Sequence, residues 1–258
     1  MGATGESVKR LTDVGFNPSW SPDQKEIVFS TESVVNPEGR GLVGRLWAVN
    51  VSTGAKRQLT EWDAVQPQWS PHGYRIAYWA VPEGGSQRDI WTMPASGGKP
   101  VAVTHDLYVD WNPVWSPGGN YLYFSSDRAG SLNLWRVRID ENSGKTLAAP
   151  EPVTTPSPYV ADLSFSRDGS RLAYADVRVL QNIYGVEFDP LKETVKGQPV
   201  ALTQGTRRLG GTNPSPDGQW LVFRSIGAQE DIFISKRDGT GMRQLTDDIY
   251  SGCSPLIS

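Results

Sequence analysis

The chain has 258 residues, with 25 Lys and Arg against 28 Asp and Glu, a formal net charge of −3, ten Trp, 27 Gly and 19 Pro. The charges are interspersed and form no basic stripe, which counts against a nucleic-acid partner. No apolar run approaches the ~18 residues of a membrane span. The single cysteine, Cys253, excludes an internal disulfide framework.

The opening "MGATGESVKR" has no apolar stretch of signal-peptide type. "KRLT" at 9–12 is then the first copy of a phrase that recurs along the chain. "PSWSPDQ" at 18–24 introduces a second phrase, an aromatic followed by a Ser-Pro turn; it returns as "PQWSPHG" at 67–73 and "PVWSPGG" at 113–119. Weaker copies are "LSFSRDG" at 163–169 and "NPSPDG" at 213–218. The five serines, Ser21, Ser70, Ser116, Ser166 and Ser215, are spaced by 49, 46, 50 and 49 residues.

Each turn leads into a β-branched or aromatic run: "EIVFS" at 26–30, "RIAYWA" at 75–80, "YLYFSS" at 121–126, "RLAYA" at 171–175 and "WLVFRS" at 220–225. An aliphatic–aromatic pair follows, at 46–47, 90–91, 134–135, 183–184 and 232–233, and then a run closing on Thr60, Thr104, Thr154, Thr203 or Thr246. Gly-rich pairs between these runs suit tight turns. "DPLKETVKG" at 189–197 reads as a long hairpin loop.

Four short strands, a to d, therefore fill each repeat. One such sheet cannot bury both faces alone, and stacking the sheets radially does. The fold expected is all-β, a β-propeller of four-stranded antiparallel blades forming one domain over 1–258. Five complete blades span about 13–60, 61–104, 105–154, 155–203 and 204–246. Strands at 8–12 and 253–258 make a partial sixth, because "SPLIS" at 254–258 aligns with "NPSWS" at 17–21. An incomplete blade at both ends reads as a fragment of a longer protein.

The "WSPDG"-like turns, the aliphatic–aromatic pair and the closing "LT" resemble the WD-like repeats of TolB-type propellers, over about residues 8–258. "SSDRAGSLNLW" at 125–135 is similar to the loop and third strand of such blades. Phe165, Arg167 and Pro214 depart from the pattern. The resemblance implies a bacterial, periplasmic or extracytoplasmic module that binds protein partners. The additional N-terminal α/β domain of TolB proteins is not present in this sequence. Similar repeats also serve as sensor domains of bacterial receptor Ser/Thr kinases or transcriptional regulators, and as substrate-filtering propellers of prolyl-oligopeptidase-type hydrolases.

Alternating strand direction puts the d–a loops and b–c loops at one end, around the expected central channel. These loops supply the candidate binding residues: Trp62, Asp63, His105, Asp106, Tyr108, Asp110, Trp111, Tyr159, Asp162, Arg207, Arg208, Asp247, Asp248 and Tyr250. Aromatics beside charge suit a protein or peptide partner. The acids could instead hold calcium in the channel, but they stand at unequal offsets from each closing Thr, which favours solvated loop acids and no metal. No cofactor is expected. Catalysis is not expected either: no G-x-S-x-G is present, His72 fills a structural turn, and Cys253 lacks a base. A propeller polysaccharide lyase or glycosidase is the weaker enzyme reading.

Overall fold

The β-branched runs fold as strands and the Ser-Pro phrases as the turns between them. The computed structural model describes residues 9–34, 37, 40, 43–83, 85, 87–129, 132–153, 160–176, 180–205, 208–226 and 230–246. Among them are strands and turns but no helix, so no helix there is long and apolar enough to cross a membrane.

Phe16–Trp20 (β1), Glu26–Ser30 (β2), Leu46–Asn50 (β3) and Lys56–Gln58 (β4) form the first antiparallel sheet, in chain order. Val65–Trp69 (β5), Arg75–Ala80 (β6), Asp89–Pro94 (β7) and Val101–Ala102 (β8) form the second. The third consists of Asp110–Trp115 (β9), Tyr121–Ser126 (β10), Asn133–Arg138 (β11) and Glu151–Pro152 (β12). In the fourth repeat, Val160–Phe165 (β13) pairs with Leu172–Asp176 (β14), and Tyr184–Asp189 (β15) pairs with Thr194–Ala201 (β16), as two hairpins. The last sheet is again four-stranded: Leu209–Pro214 (β17), Trp220–Ser225 (β18), Ile232–Lys236 (β19) and Arg243–Gln244 (β20).

The strands gather into two compact units, residues 1–84 with 88–176, and 85–87 with 177–258. In the first unit, Val28, Leu46, Ile76, Tyr78 and Met93 pack between the first two sheets, with Trp69 and Trp91 against them. Val114, Leu134, Val160 and Leu163 form a second cluster, flanked by Tyr123 and Phe165, whose rings meet edge to face at 4.9 Å. In the second unit Ile183, Leu209, Phe223 and Phe233 form the core.

Hydrogen bonds explain the repeated phrases. At each serine turn the serine hydroxyl accepts the backbone N–H five residues on: Glu26 to Ser21 and Trp220 to Ser215 at 2.9 Å, Arg75 to Ser70 at 2.9 Å, Tyr121 to Ser116 at 3.1 Å and Arg171 to Ser166 at 3.0 Å. The closing threonine accepts the N–H that opens the aliphatic–aromatic pair, Leu46 to Thr60, Ile90 to Thr104, Ile183 to Thr203 and Ile232 to Thr246, each at 2.9 Å. The serine closes the a–b turn, and the threonine satisfies a donor at the start of the third strand that the short outer strand leaves unpaired.

A third repeated bond joins successive sheets. The N–H near the start of each inner strand donates to a carbonyl two residues before the preceding aliphatic–aromatic pair: Ala64 to Gly44 (2.9 Å), Asp110 to Arg88 (2.8 Å), Val160 to Leu132 (2.7 Å) and, in the second unit, Leu209 to Gln181 (2.9 Å). Each inner strand also carries a bulge marked by one residue at positive φ: Asn17, Gln66, Asn112, Asp162 and Gly211.

Three expectations change. Lys9–Thr12, expected in an outer strand, form none; elsewhere such a strand forms only against an aliphatic–aromatic strand preceding it in the chain. Within 189–197, only 190–193 are turn, because β16 starts at Thr194 and pairs with Asp189. The fourth repeat divides between the two units, with the β13–β14 hairpin in the first and the β15–β16 hairpin in the second. Residues 253–258 lie outside the described residues.

Two substitutions test this geometry. A Cβ on Gly44 would lie 2.4 Å from Val65 Cγ1 and 3.0 Å from the Ala64 carbonyl, so Gly44→Ala should cost about 1–3 kcal/mol in urea unfolding. Gln24 occupies the positive-φ turn position (φ 61°) that glycine fills in the other four turns, so Gln24→Gly should stabilise by about 0.5–1 kcal/mol.

Candidate functional site

The d–a loops of the first unit are held by two buried arginines. Arg40, on the loop between β2 and β3, donates from Nε to Glu32 at 2.9 Å and from Nη1 to Asp63 at 2.7 Å. Asp63 also accepts the N–H groups of Gly44 (2.9 Å) and Val81 (2.7 Å). The Arg40 guanidinium lies 4.9 Å from the Trp79 ring centroid. Just beyond Asp63, toward β4, Trp62 donates its indole N–H to the Tyr78 hydroxyl at 3.0 Å and remains 38% exposed. Burial pushes the Tyr78 hydroxyl above its ordinary pKa, so it is neutral there.

The second arginine, Arg128, follows β10. Its Nη2 donates to Asp106 at 2.8 Å and to Asp110. The guanidinium lies within 5.2–5.7 Å of the Tyr108, Phe124 and Trp135 ring centroids. Neighbouring Asp127 accepts the Val109 N–H at 2.8 Å. Asp89 completes the group, accepting the Thr104 hydroxyl at 3.3 Å, with His105 Nδ1 3.8 Å from its other oxygen.

Carboxyl oxygens of Asp89, Asp106 and Asp110 lie within 4.8 Å of one another. Asp89 and Asp110 are fully buried, and burial is the largest influence on both: the Asp110 carboxyl is pushed up to about 7 against the pull of Arg128, and that of Asp89 to about 6. Asp127 is raised by the same cause. Two features assign this trio to the protein's own framework. Arg128 already supplies positive charge to Asp106 and Asp110. Asp89 occupies a repeat position held in the second unit by Asn182 and Asp231, whose side chains accept the Thr203 and Thr246 hydroxyls at 3.3 Å in the same way. An amide does that work without charge.

The sequence-based candidates therefore divide. Asp106, Tyr108 and Asp110 come together around Arg128, His105 lies beside Asp89, and Trp62 and Asp63 gather around Arg40 and Tyr78. His105 and Tyr108 are exposed. Trp111, expected among the exposed loop aromatics, is fully buried, as is Asp110. Both belong to β9, which starts inside the segment read as loop, and Trp111 pairs there with Ser125. Asp162 stands in β13 at the positive-φ bulge, a backbone role shared with Asn17, Gln66 and Asn112. Arg208 is half-buried in the second unit. Tyr159, Arg207, Asp247, Asp248 and Tyr250 lie outside the described residues. The sequence reading missed Arg40 and Arg128; the signal available was an arginine within the b–c loops of the first and third sheets.

The raised Asp110 carboxyl gives a pH test. A folded pKa above the unfolded value means that the folded state binds the proton more tightly, so this group's contribution declines as pH rises from about 4 through about 7. Asparagine imitates the protonated side chain. Asp110→Asn should therefore gain stability relative to the unsubstituted chain on going from pH 4 to pH 8, by on the order of 2 kcal/mol in urea titrations. A difference that stays constant with pH would refute the assignment.

Comparison with known proteins follows the same repeat. The family described as the TolB beta propeller domain matches residues 1–183. The uncharacterized peptidase YuxL of Bacillus subtilis is 27% identical over 225 residues, which cover 85% of this chain and 30% of the peptidase. The uncharacterized protein Atu1656 of Agrobacterium fabrum is 26% identical over 256 residues, covering 80% of this chain and 83% of its own. The crystal structure of TolB from Acinetobacter baumannii shares the fold at a TM-score of 0.54 and 21% identity, over 98% of this chain and 60% of that one. The chain thus spans less than a third of the peptidase and about three fifths of that TolB. Antiparallel four-stranded sheets in a–b–c–d order and the family match over most of its length agree: the chain belongs to the TolB β-propeller domain family.

Proposed function

We propose that this chain is a non-catalytic scaffold that binds a protein or peptide through the d–a loops of its first unit. One observation carries the reading. Trp62 and Tyr108 stand 38% and 44% exposed on successive d–a loops, and each loop is fixed from beneath by a buried arginine–carboxylate network. Leu107, 48% exposed, extends the apolar surface beside Tyr108. Large aromatics that lose little freedom on binding are the usual anchors of recognition surfaces. The side chains of His105 and Asp106 around them supply a polar rim.

A second reading is favoured by the alignment of 85% of the chain with part of a larger peptidase. In that setting the same loops would screen peptide substrates for a hydrolase domain elsewhere in the polypeptide.

Selection of a displayed random-peptide library on the chain tests the binding surface. Selected peptides should lose at least tenfold in affinity (about 1.4 kcal/mol) on Tyr108→Ala and on Trp62→Ala, measured at a temperature where circular dichroism shows each variant folded. Peptides indifferent to both substitutions would sink the proposal. In a longer peptidase, the same two changes should raise KM for peptides and leave kcat unchanged.

A further inference from the structure

The opposite end of the strands carries a second feature, independent of the loop surface. The five serine turns, four of them Ser-Pro and one Ser-Arg, serve as internal controls for one another. In three of them an aspartate follows the serine by two residues and closes the turn on itself. Asp23 accepts the Ser21 hydroxyl (2.7 Å) and the Lys25 N–H (3.1 Å); Asp168 and Asp217 do the same with Ser166 and Ser170, and with Ser215 and Gln219. Two turns lack this aspartate. They belong to the second and third sheets, and the residues in its place, His72 and Gly118, both line one cavity of about 350 Å³.

His72 is diverted from its own turn. Its backbone N–H donates to Glu141 Oε1 at 3.0 Å, and its Nδ1 lies 2.6 Å from Glu141 Oε2. Glu141 is 8% exposed and stands 69 residues away, after β11. The contact leaves no room for a side chain on the neighbouring turn: a Cβ on Gly119, at φ 73°, would fall 2.1 Å from Glu141 Oε2. So held, the imidazole lies beside the Tyr74 ring, with centroids 6.1 Å apart and planes at 28°. Tyr74 is 53% exposed. The outcome is a fixed two-ring platform at the mouth of the cavity.

The remaining lining mixes the apolar Ile139 and Leu147 with polar side chains, several of them uncommitted. The side chains of Arg138, Asn120 and Asn142 make no hydrogen bond or ion pair among the described residues. Asp140 is occupied by the Ser143 N–H and hydroxyl at 2.8 and 2.6 Å, yet keeps acceptor capacity. The lining holds Arg138 together with the acids Asp140 and Glu141, so the cavity has no excess positive charge to select an anion. A volume near 350 Å³ lies at the small end of the ~300–1,000 Å³ typical of small-ligand sites.

We propose that this cavity binds a neutral carbohydrate of one or two rings. The C–H face of a pyranose carries partial positive charge and packs on the negative face of an aromatic ring, here Tyr74 beside His72. Its hydroxyls both donate and accept, which matches a guanidinium, two amides and a carboxylate set around one space. A purely apolar ligand would leave those groups unpaired.

Saturation-transfer difference NMR on the full 258-residue chain tests this. The probes are methyl glucosides, galactosides and mannosides, N-acetylglucosamine, maltose and cellobiose. At least one should bind with a Kd of roughly 0.1–10 mM and shift the ring-proton resonances of Tyr74 and His72. Tyr74→Ala and Arg138→Ala, both at exposed positions, should each weaken that binding at least tenfold, and Tyr74→Phe should keep it. The proposal is overturned if no sugar transfers saturation, if the sugars that bind do so equally well to Tyr74→Ala and Arg138→Ala, or if only acetate, phosphate or an acidic dipeptide shifts the Tyr74 and His72 resonances. The ring-proton shifts of the unsubstituted chain decide the matter even if a variant fails to fold.

Discussion

One backbone hydrogen bond sets how each sheet meets the one before it within a unit. The first residues of an inner strand donate to a carbonyl just ahead of the preceding aliphatic–aromatic pair, at 2.7–2.9 Å in four copies. It is short-range and directional, so it draws the d–a loop tight against the previous sheet. The arginine–carboxylate networks are built around it. Asp63 adjoins the Ala64 donor and binds Gly44 N–H, whose carbonyl is the acceptor; Asp110 is itself the donor in the next copy. A loop tied at that point can expose Trp62 or Tyr108 without losing its shape. That is what separates an anchored aromatic from an accident of exposure.

The two buried arginines illustrate why such sites are stable only as complete sets. Arg40 and Arg128 are each 5–9% exposed at the side chain. A lone guanidinium at that depth would be costly, and two carboxylates with aromatic faces offset the desolvation. Removing one acid leaves an uncompensated charge rather than a missing attraction. The trio Asp89, Asp106 and Asp110 follows the same logic. Its geometry would suit a cation, but Arg128 is already among its oxygens, and the repeat supplies an asparagine for Asp89 where no charge is required.

Much of the fold is legible in the sequence because its signals are local and repeated. The Ser of each turn acts on an N–H five residues away, and the closing Thr of four repeats on one 14–20 residues back. Both leave a fixed letter, the Ser at a constant spacing and the Thr at 14 residues in three copies and 20 in the fourth. The site is less legible because its bonds reach across repeats. Arg40 meets Asp63 over 23 residues, and His72 meets Glu141 over 69, with no recurring spacing to announce either. Trp111 misleads for a different reason: strand β9 begins earlier than the alternating pattern suggests, and that places the ring inside. Asp162 misleads because a bulge at positive φ favours Asp or Asn for backbone reasons alone.

The two ends of the strands also differ electrostatically, and the difference follows from what satisfies their acids. At the a–b and c–d turns, Asp23, Asp140, Asp168, Asp217 and Asp238 accept hydroxyl and backbone N–H groups in open water, and all are held below the ordinary carboxylate range, Asp168 at about 2. At the opposite end Asp89, Asp110 and Asp127 are raised by burial. The first set favours the folded state at neutral pH and is lost only as pH falls through its low values; the second favours it at mildly acid pH and weakens toward neutrality. The turns accordingly act as permanent fasteners. The loop end carries the groups whose charge changes between about pH 6 and 7, directly beneath the aromatics proposed to meet a partner. The departures at His72 and Gly118 fit the same division: where a turn gives up its aspartate it gives up a fastener, and the structure places a cavity there.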